Sequence, residues 1–189
     1  MGVAVRLSTS AAPFFSSFAL SFTPKPYQGA ENRFRLTRRS LEVLKAKERR
    51  VHIHTKSDLV TRDIDLLSGM DVVVGMTITT VDDRVSKMTE PGAPLPAARI
   101  EALTRLLDEG IDAYVLIAPV MSTLQGREGD LIDALRATGV KIVFHENLNL
   151  KLVDTERLDR MGITPSQSSD RVLSRLCLKN GLDDFEDYR

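Results

Sequence analysis

The chain has 189 residues, 42% of them hydrophobic, with 26 Lys and Arg against 26 Asp and Glu, so its formal net charge is zero. That length can bury one sizeable core, while no apolar run nears the roughly 18–20 residues that a membrane span requires. Cys177 is the only cysteine, which excludes an intrachain disulfide and any cysteine cluster for zinc or for iron and sulfur, and points to a reducing, cytoplasmic compartment.

Residues 1–17 have one Arg, many Ser and small residues and no acid. They lack the clean apolar centre of a signal segment and are expected to run straight into the first strand. Phe18 to Phe22 is that strand, closed by Pro24 and Pro26, which cannot continue the pairing. From Arg33 to about Glu48, Leu36, Ser40, Leu41, Val43 and Leu44 mark a helix whose cations point outward. Charge is uneven here: residues 1–50 hold ten Lys and Arg against three Glu. A solvated face is the plainer reading of that helix, and a nucleic-acid-facing one the alternative.

Val51 to Thr55 is the second strand; Ser57 or Asp58 then caps a helix through Val60, Ile64 and Leu67. Asp71 to Ile78 is nearly continuous in apolar and β-branched residues, the pattern of a parallel strand buried on both faces. A long polar connection follows through Thr79, Asp82 and Glu90 until Pro91, Pro94 and Pro96, and a helix starts near Ala97. Ile111 to Ala118 is the fourth strand, Glu128 to Thr138 a helix, and Val140 to Phe144 the fifth strand. This β-α alternation predicts right-handed crossovers and an α/β fold: a partial parallel (β/α) barrel of about five strands over residues 18–150. Residues 151–189 read as a helical tail, Thr155 to Met161 and Ser168 to Asn180, with Leu173, Leu176 and Cys177 packed inward and Cys177 a buried small hydrophobe.

In such a barrel the working residues lie at the carboxyl ends of the strands. Those positions are Lys56 and Ser57, Thr77 and Thr79, Pro119 to Thr123, and His145, Glu146, Asn147 and Asn149. Of His145 and Glu146 only one can look into the barrel, because neighbours on a strand face opposite ways. His52 and His54 alternate with Val51 and Ile53 and read as structural. No metalloprotease, hydrolase, Walker or dinucleotide motif is present. By residues alone the chain is a parallel α/β domain with an unassigned polar site.

Pro26-Tyr27-Gln28-Gly29-Ala30-Glu31 and Arg33-Phe34-Arg35-Leu36-Thr37-Arg38-Arg39-Ser40-Leu41-Glu42-Val43-Leu44 resemble the PYQPxE…R-LTRR-LE-L segment of radical S-adenosylmethionine (radical SAM) proteins of the spore photoproduct lyase-like, or DNA repair photolyase-like, group. Thr55-Lys56-Ser57 is similar to that group's TKS, Thr77-Ile78-Thr79-Thr80 to its SITT, Glu90-Pro91-Gly92-Ala93-Pro94 to its E-P-G-x-P before the Arg99 helix, and Ala118-Pro119-Val120 and Glu146-Asn147-Leu148-Asn149 to its API and E-P-L-N strand ends. The resemblance covers roughly residues 18–150. It departs at Lys25, where the group has an acid, at Met121 to Leu124, where it has P-G-L, and above all in the missing C-x3-C-x2-C loop.

The resemblance implies S-adenosylmethionine as cofactor, with Lys56, Ser57, Thr77, Thr79, Arg99 and Glu146 near it and Arg99 close to a carboxylate. It also implies nucleic acid as a partner. The group's 4Fe-4S cluster needs thiolates that this chain lacks, so a truncated or degenerate radical SAM domain without radical chemistry is expected. The alternatives are a non-enzymatic nucleic-acid or protein interaction module using the basic helix 33–50, and a cluster-free α/β enzyme with Lys56, Glu90 and Glu146 as acid–base groups. An uncovered sheet edge near Leu20 predicts pairing with Val3 to Leu7, or self-association.

Overall fold

The computed structural model describes residues 18–20, 26–147 and 155–184. Its centre is one parallel sheet in sequential order: β1 (Phe18–Leu20), β2 (Val51–Thr55), β3 (Val72–Thr77), β4 (Asp112–Val120), β5 (Ile142–Asn147) and a two-residue β6 (Asp183–Asp184). Parallel neighbours taken in chain order, with helices between them, are the arrangement of a partial (β/α) barrel. β6, which the tail adds beside β5, was not expected; Leu182, just before it, is buried and carries the chain back to the sheet.

The connections are α1 (Glu31–Phe34), α2 (Leu36–Ala46), a 3-10 turn (Asp58–Asp63) leading into α3 (Ile64–Leu67), α4 (Asp83–Thr89), α5 (Pro96–Asp108), a second 3-10 turn (Ser122–Leu124), α6 (Glu128–Ala137), α7 (Thr155–Arg160) and α8 (Gln167–Lys179). One face of the sheet, carrying Val51, Ile53, Val74, Met76, Val115, Ile117 and Val143, is buried with Leu41, Leu103, Leu106, Leu131 and Leu135 from the helices. Cys177 and Leu173 of α8 are fully buried in the same core.

Two expected elements differ. The helix expected from Arg33 is split at Arg35, whose φ of 48° is left-handed. The Glu31 carboxylate accepts from Thr37 N at 2.9 Å and from Thr37 Oγ1 at 2.9 Å, so an acid six residues upstream takes the N-capping role at the start of α2. The connection after β3 is also not bare loop: Asp82 Oδ1 accepts from Arg84 N and Val85 N and starts α4. A capping acid can begin a helix in a strongly polar stretch, where no apolar stripe advertises it.

Among the described residues β1 lies at the edge of the sheet and pairs with β2. The alternative pairing with Val3 to Leu7 lies outside the described residues. Among the described residues no helix is long and apolar enough to cross a membrane.

Candidate functional site

Lys56, expected at a strand end, converges beyond β2 and β3 with Glu90 and Arg99, which the resemblance singled out. Lys56 follows β2 directly, and its Nζ is ion-paired with Glu90 Oε1. Glu90 ends α4, and its Oε2 accepts from Arg99 Nη1 at 2.6 Å. Arg99 sits in the first turn of α5 with 1% of its side chain exposed. Its Nε donates to Pro94 O at 2.8 Å and its Nη1 also to Thr77 O at 3.2 Å, at the end of β3. Arg99 thus meets a carboxylate of its own chain, that of Glu90.

Burial is the largest single influence on the Glu90 carboxyl and would raise it. The charges of Lys56 and Arg99 and their hydrogen bonds outweigh burial and hold it below the ordinary carboxylate range. Two cations then face one anion, so the cluster carries one uncompensated positive charge in a mostly buried setting. Arg99 Nη2 is buried without a hydrogen-bond partner, and so is Thr79 Oγ1, two residues beyond the Thr77 carbonyl. Such donors cost free energy when left unpaired, so they fit an anionic group with further acceptors.

The remaining expected residues divide. Ser57 Oγ accepts from Leu59 N and caps the 3-10 turn, and Ser57 N donates to Thr55 Oγ1, so its described bonds are structural. Thr77 Oγ1 lies 2.9 Å from His54 Nε2. Glu146 is exposed, on the opposite face of β5 from His145, which is buried. His145 Nδ1 meets Asp170 Oδ1 at 2.6 Å, Ser174 Oγ lies 3.2 Å from His145 Nε2, and Asn147 Nδ2 donates to Asp170 Oδ2 at 2.7 Å. That network ties α8 to β5.

His52 and His54 do alternate with the core, on the sheet face away from the helices. Sequence reading missed Tyr114, which joins them there: its hydroxyl is 2.7 Å from His52 Nε2. The signal was Gly75 in the middle of an apolar strand, a mark of something approaching closely. Phe34, between Arg33 and Arg35, was also passed over; it is 53% exposed, with the Arg33 guanidinium 5.1 Å from its ring centre. Arg38, by contrast, is bound to Asp63 and Asp65 and is not part of an open cationic face.

No family model matches the chain. It is 35% identical over 138 residues to an uncharacterised protein of Methanocaldococcus jannaschii, covering 70% of this chain and 50% of the relative. It is 31% identical over 135 residues to an uncharacterised protein of Mycobacterium tuberculosis, covering 66% and 39%. The chain thus spans half or less of the length of these curated relatives. Among solved structures, a spore photoproduct lyase variant superimposes with a TM-score of 0.63 at 13% identity, over 92% of this chain and 61% of that one. Streptococcus suis SuiB bound to its precursor peptide SuiA gives 0.53 at 12% identity, over 78% and 34%. The chain has a radical SAM-like fold. Similarity at this level speaks for the fold, and function has to be argued from the site.

Proposed function

We propose that this radical SAM-like domain, of the spore photoproduct lyase-like kind and cytoplasmic, binds S-adenosylmethionine at the mouth beyond β2 and β3. The observation that carries the reading is the Lys56–Glu90–Arg99 cluster, with its single excess positive charge and the unpartnered Arg99 Nη2. An α-carboxylate would supply the missing negative charge and acceptor, with Lys56, Arg99 and Thr79 as its neighbours. Ser57, Thr77 and Glu146 belong to the same mouth by their places at strand ends. A spore photoproduct lyase variant that shares this fold was solved with bound AdoMet.

The residues do not fit a 4Fe-4S cluster. Cys177 is buried in the hydrophobic core on α8, and the described residues hold no group of three or more His, Cys, Asp or Glu that could bind a metal. We propose that the residues present carry out no radical chemistry of their own. Isothermal calorimetry with S-adenosylmethionine tests the binding. Affinity should fall at least about tenfold in Lys56→Ala, the effect of losing about 1.4 kcal/mol; unchanged affinity removes Lys56 from the site.

Exposed Arg33, Phe34, Arg35 and Arg39 favour a second reading, a nucleic-acid surface on α1 and α2, because cations beside an exposed ring suit phosphates and stacked bases. A solved spore photoproduct lyase is complexed with a dinucleoside spore photoproduct. Binding of single-stranded DNA that weakens with added salt and on Arg39→Glu supports this reading; a flat salt dependence sinks it.

A further inference from the structure

The sheet face away from the helices carries a second polar constellation, which meets the Lys56–Glu90–Arg99 mouth at the contact between His54 and Thr77. Register places Gly75 of β3 between His54 of β2 and Tyr114 of β4. A Cβ on Gly75 would lie 2.3 Å from Tyr114 Cζ and 2.4 Å from its hydroxyl oxygen. The absence of that carbon lets the phenol cross β3 and bring its oxygen 2.7 Å from His52 Nε2, two strands away. The ring is held from the other side by Phe144 of β5, edge-on at 5.0 Å between centres. His52, His54, Tyr114 and Phe144 are each half-buried. The phenol–imidazole pair is thus fixed from both sides while part of it faces outward from the sheet.

We propose that Tyr114 and His52 form a proton relay for a hydroxyl-bearing substrate bound against this face. The substrate O–H bond breaks and its proton joins the Tyr114 oxygen; the Tyr114 O–H bond breaks in concert and that proton joins His52 Nε2. The products are the substrate oxyanion and an imidazolium, with no proton or electron left over. Tyr114 touches substrate and His52 stores the proton. Burial first, and the charge of Arg50 second, lower the tendency of His52 to hold a proton, so it rests as the neutral acceptor the relay needs. Among the described residues, the groups beside it are Tyr114 from β4, Arg50 ahead of its own strand, His54 two positions along on the same face of β2, and the uncharged Ala19 of β1 and Val73 of β3 opposite it in register. The relay does not depend on S-adenosylmethionine binding.

The probe is p-nitrophenol, whose ionisation is visible, mixed with the full chain and with Tyr114→Phe and His52→Gln. Bound to the wild type it should ionise about tenfold more readily than free, the equivalent of one pKa unit. Tyr114→Phe, which keeps the ring, should bind the probe and lose that gain, and His52→Gln should lose it too. The chain has three histidines, so the His52 ring signal can be followed by NMR. It should titrate at higher pH in Tyr114→Phe, because the phenol proton favours the neutral imidazole. Absence of probe binding to the wild type, equal ionisation in all three proteins, or an unmoved His52 titration in a folded Tyr114→Phe would each overturn the proposal.

Discussion

Replacing Glu90 with glutamine keeps the shape of the side chain and removes the only negative charge that the structure places between Lys56 and Arg99. Arg99 is then a buried guanidinium without a counter-ion, and Lys56 keeps 21% of its side chain exposed. Removing one partner of a buried pair costs about 3–5 kcal/mol, and the partial exposure of Lys56 sets the expectation at the lower end, about 3 kcal/mol. For a chain of this size that corresponds to a fall in Tm of about 6–12 °C. Urea unfolding and a thermal melt of both proteins at neutral pH measure it.

The pH dependence gives the sign. The folded Glu90 carboxyl is held below its ordinary value of 4.5, so its contribution is complete above that pH and is lost as pH falls through the folded value. The gap between wild type and Glu90→Gln should therefore be constant from neutral pH down to 4.5 and close below it. An added anion such as sulfate should stabilise the variant more than the wild type, since the variant's cluster has two uncompensated charges. A melt within 2 °C of wild type would refute the buried-cluster account, and so would a gap that closes well above pH 5.

Gly75→Ala should cost about 1–3 kcal/mol through overpacking against Tyr114. The cost should largely vanish in a Tyr114→Ala background, so a double-mutant cycle reads the contact directly. Arg38→Ala should lower the urea midpoint, because Asp63, with no exposed side-chain surface, then loses one of the two arginines paired with it among the described residues; Arg39→Ala should leave the midpoint in place and act on DNA binding alone. Asp170→Ala should cost about 1.5–3 kcal/mol through lost charged hydrogen bonds. Its loss should appear as faster amide exchange in α8, with β2 and β3 protected as before.

How much of this was legible follows from what each residue needs to reveal itself. β3 shows in sequence because a parallel strand covered on both faces must be apolar almost throughout, and Val72 to Met76 are. Lys56 and Thr77 were found by their places at strand ends, a rule of backbone topology that needs no contact information, while Arg99 came only through the family resemblance. The role of Glu90 was half visible, as an acid in a motif and as a candidate acid–base group. Its pairing with Lys56, 34 positions away, depends on how α4 is set, and α4 was hidden in a polar stretch whose only signal is the Asp82 cap. Tyr114 was hidden for a different reason. A tyrosine in an apolar strand is ordinary, and its partner His52 is 62 positions away. What makes that pair special is the missing Cβ on a third strand, so the informative residue was Gly75, which contributes no side chain at all.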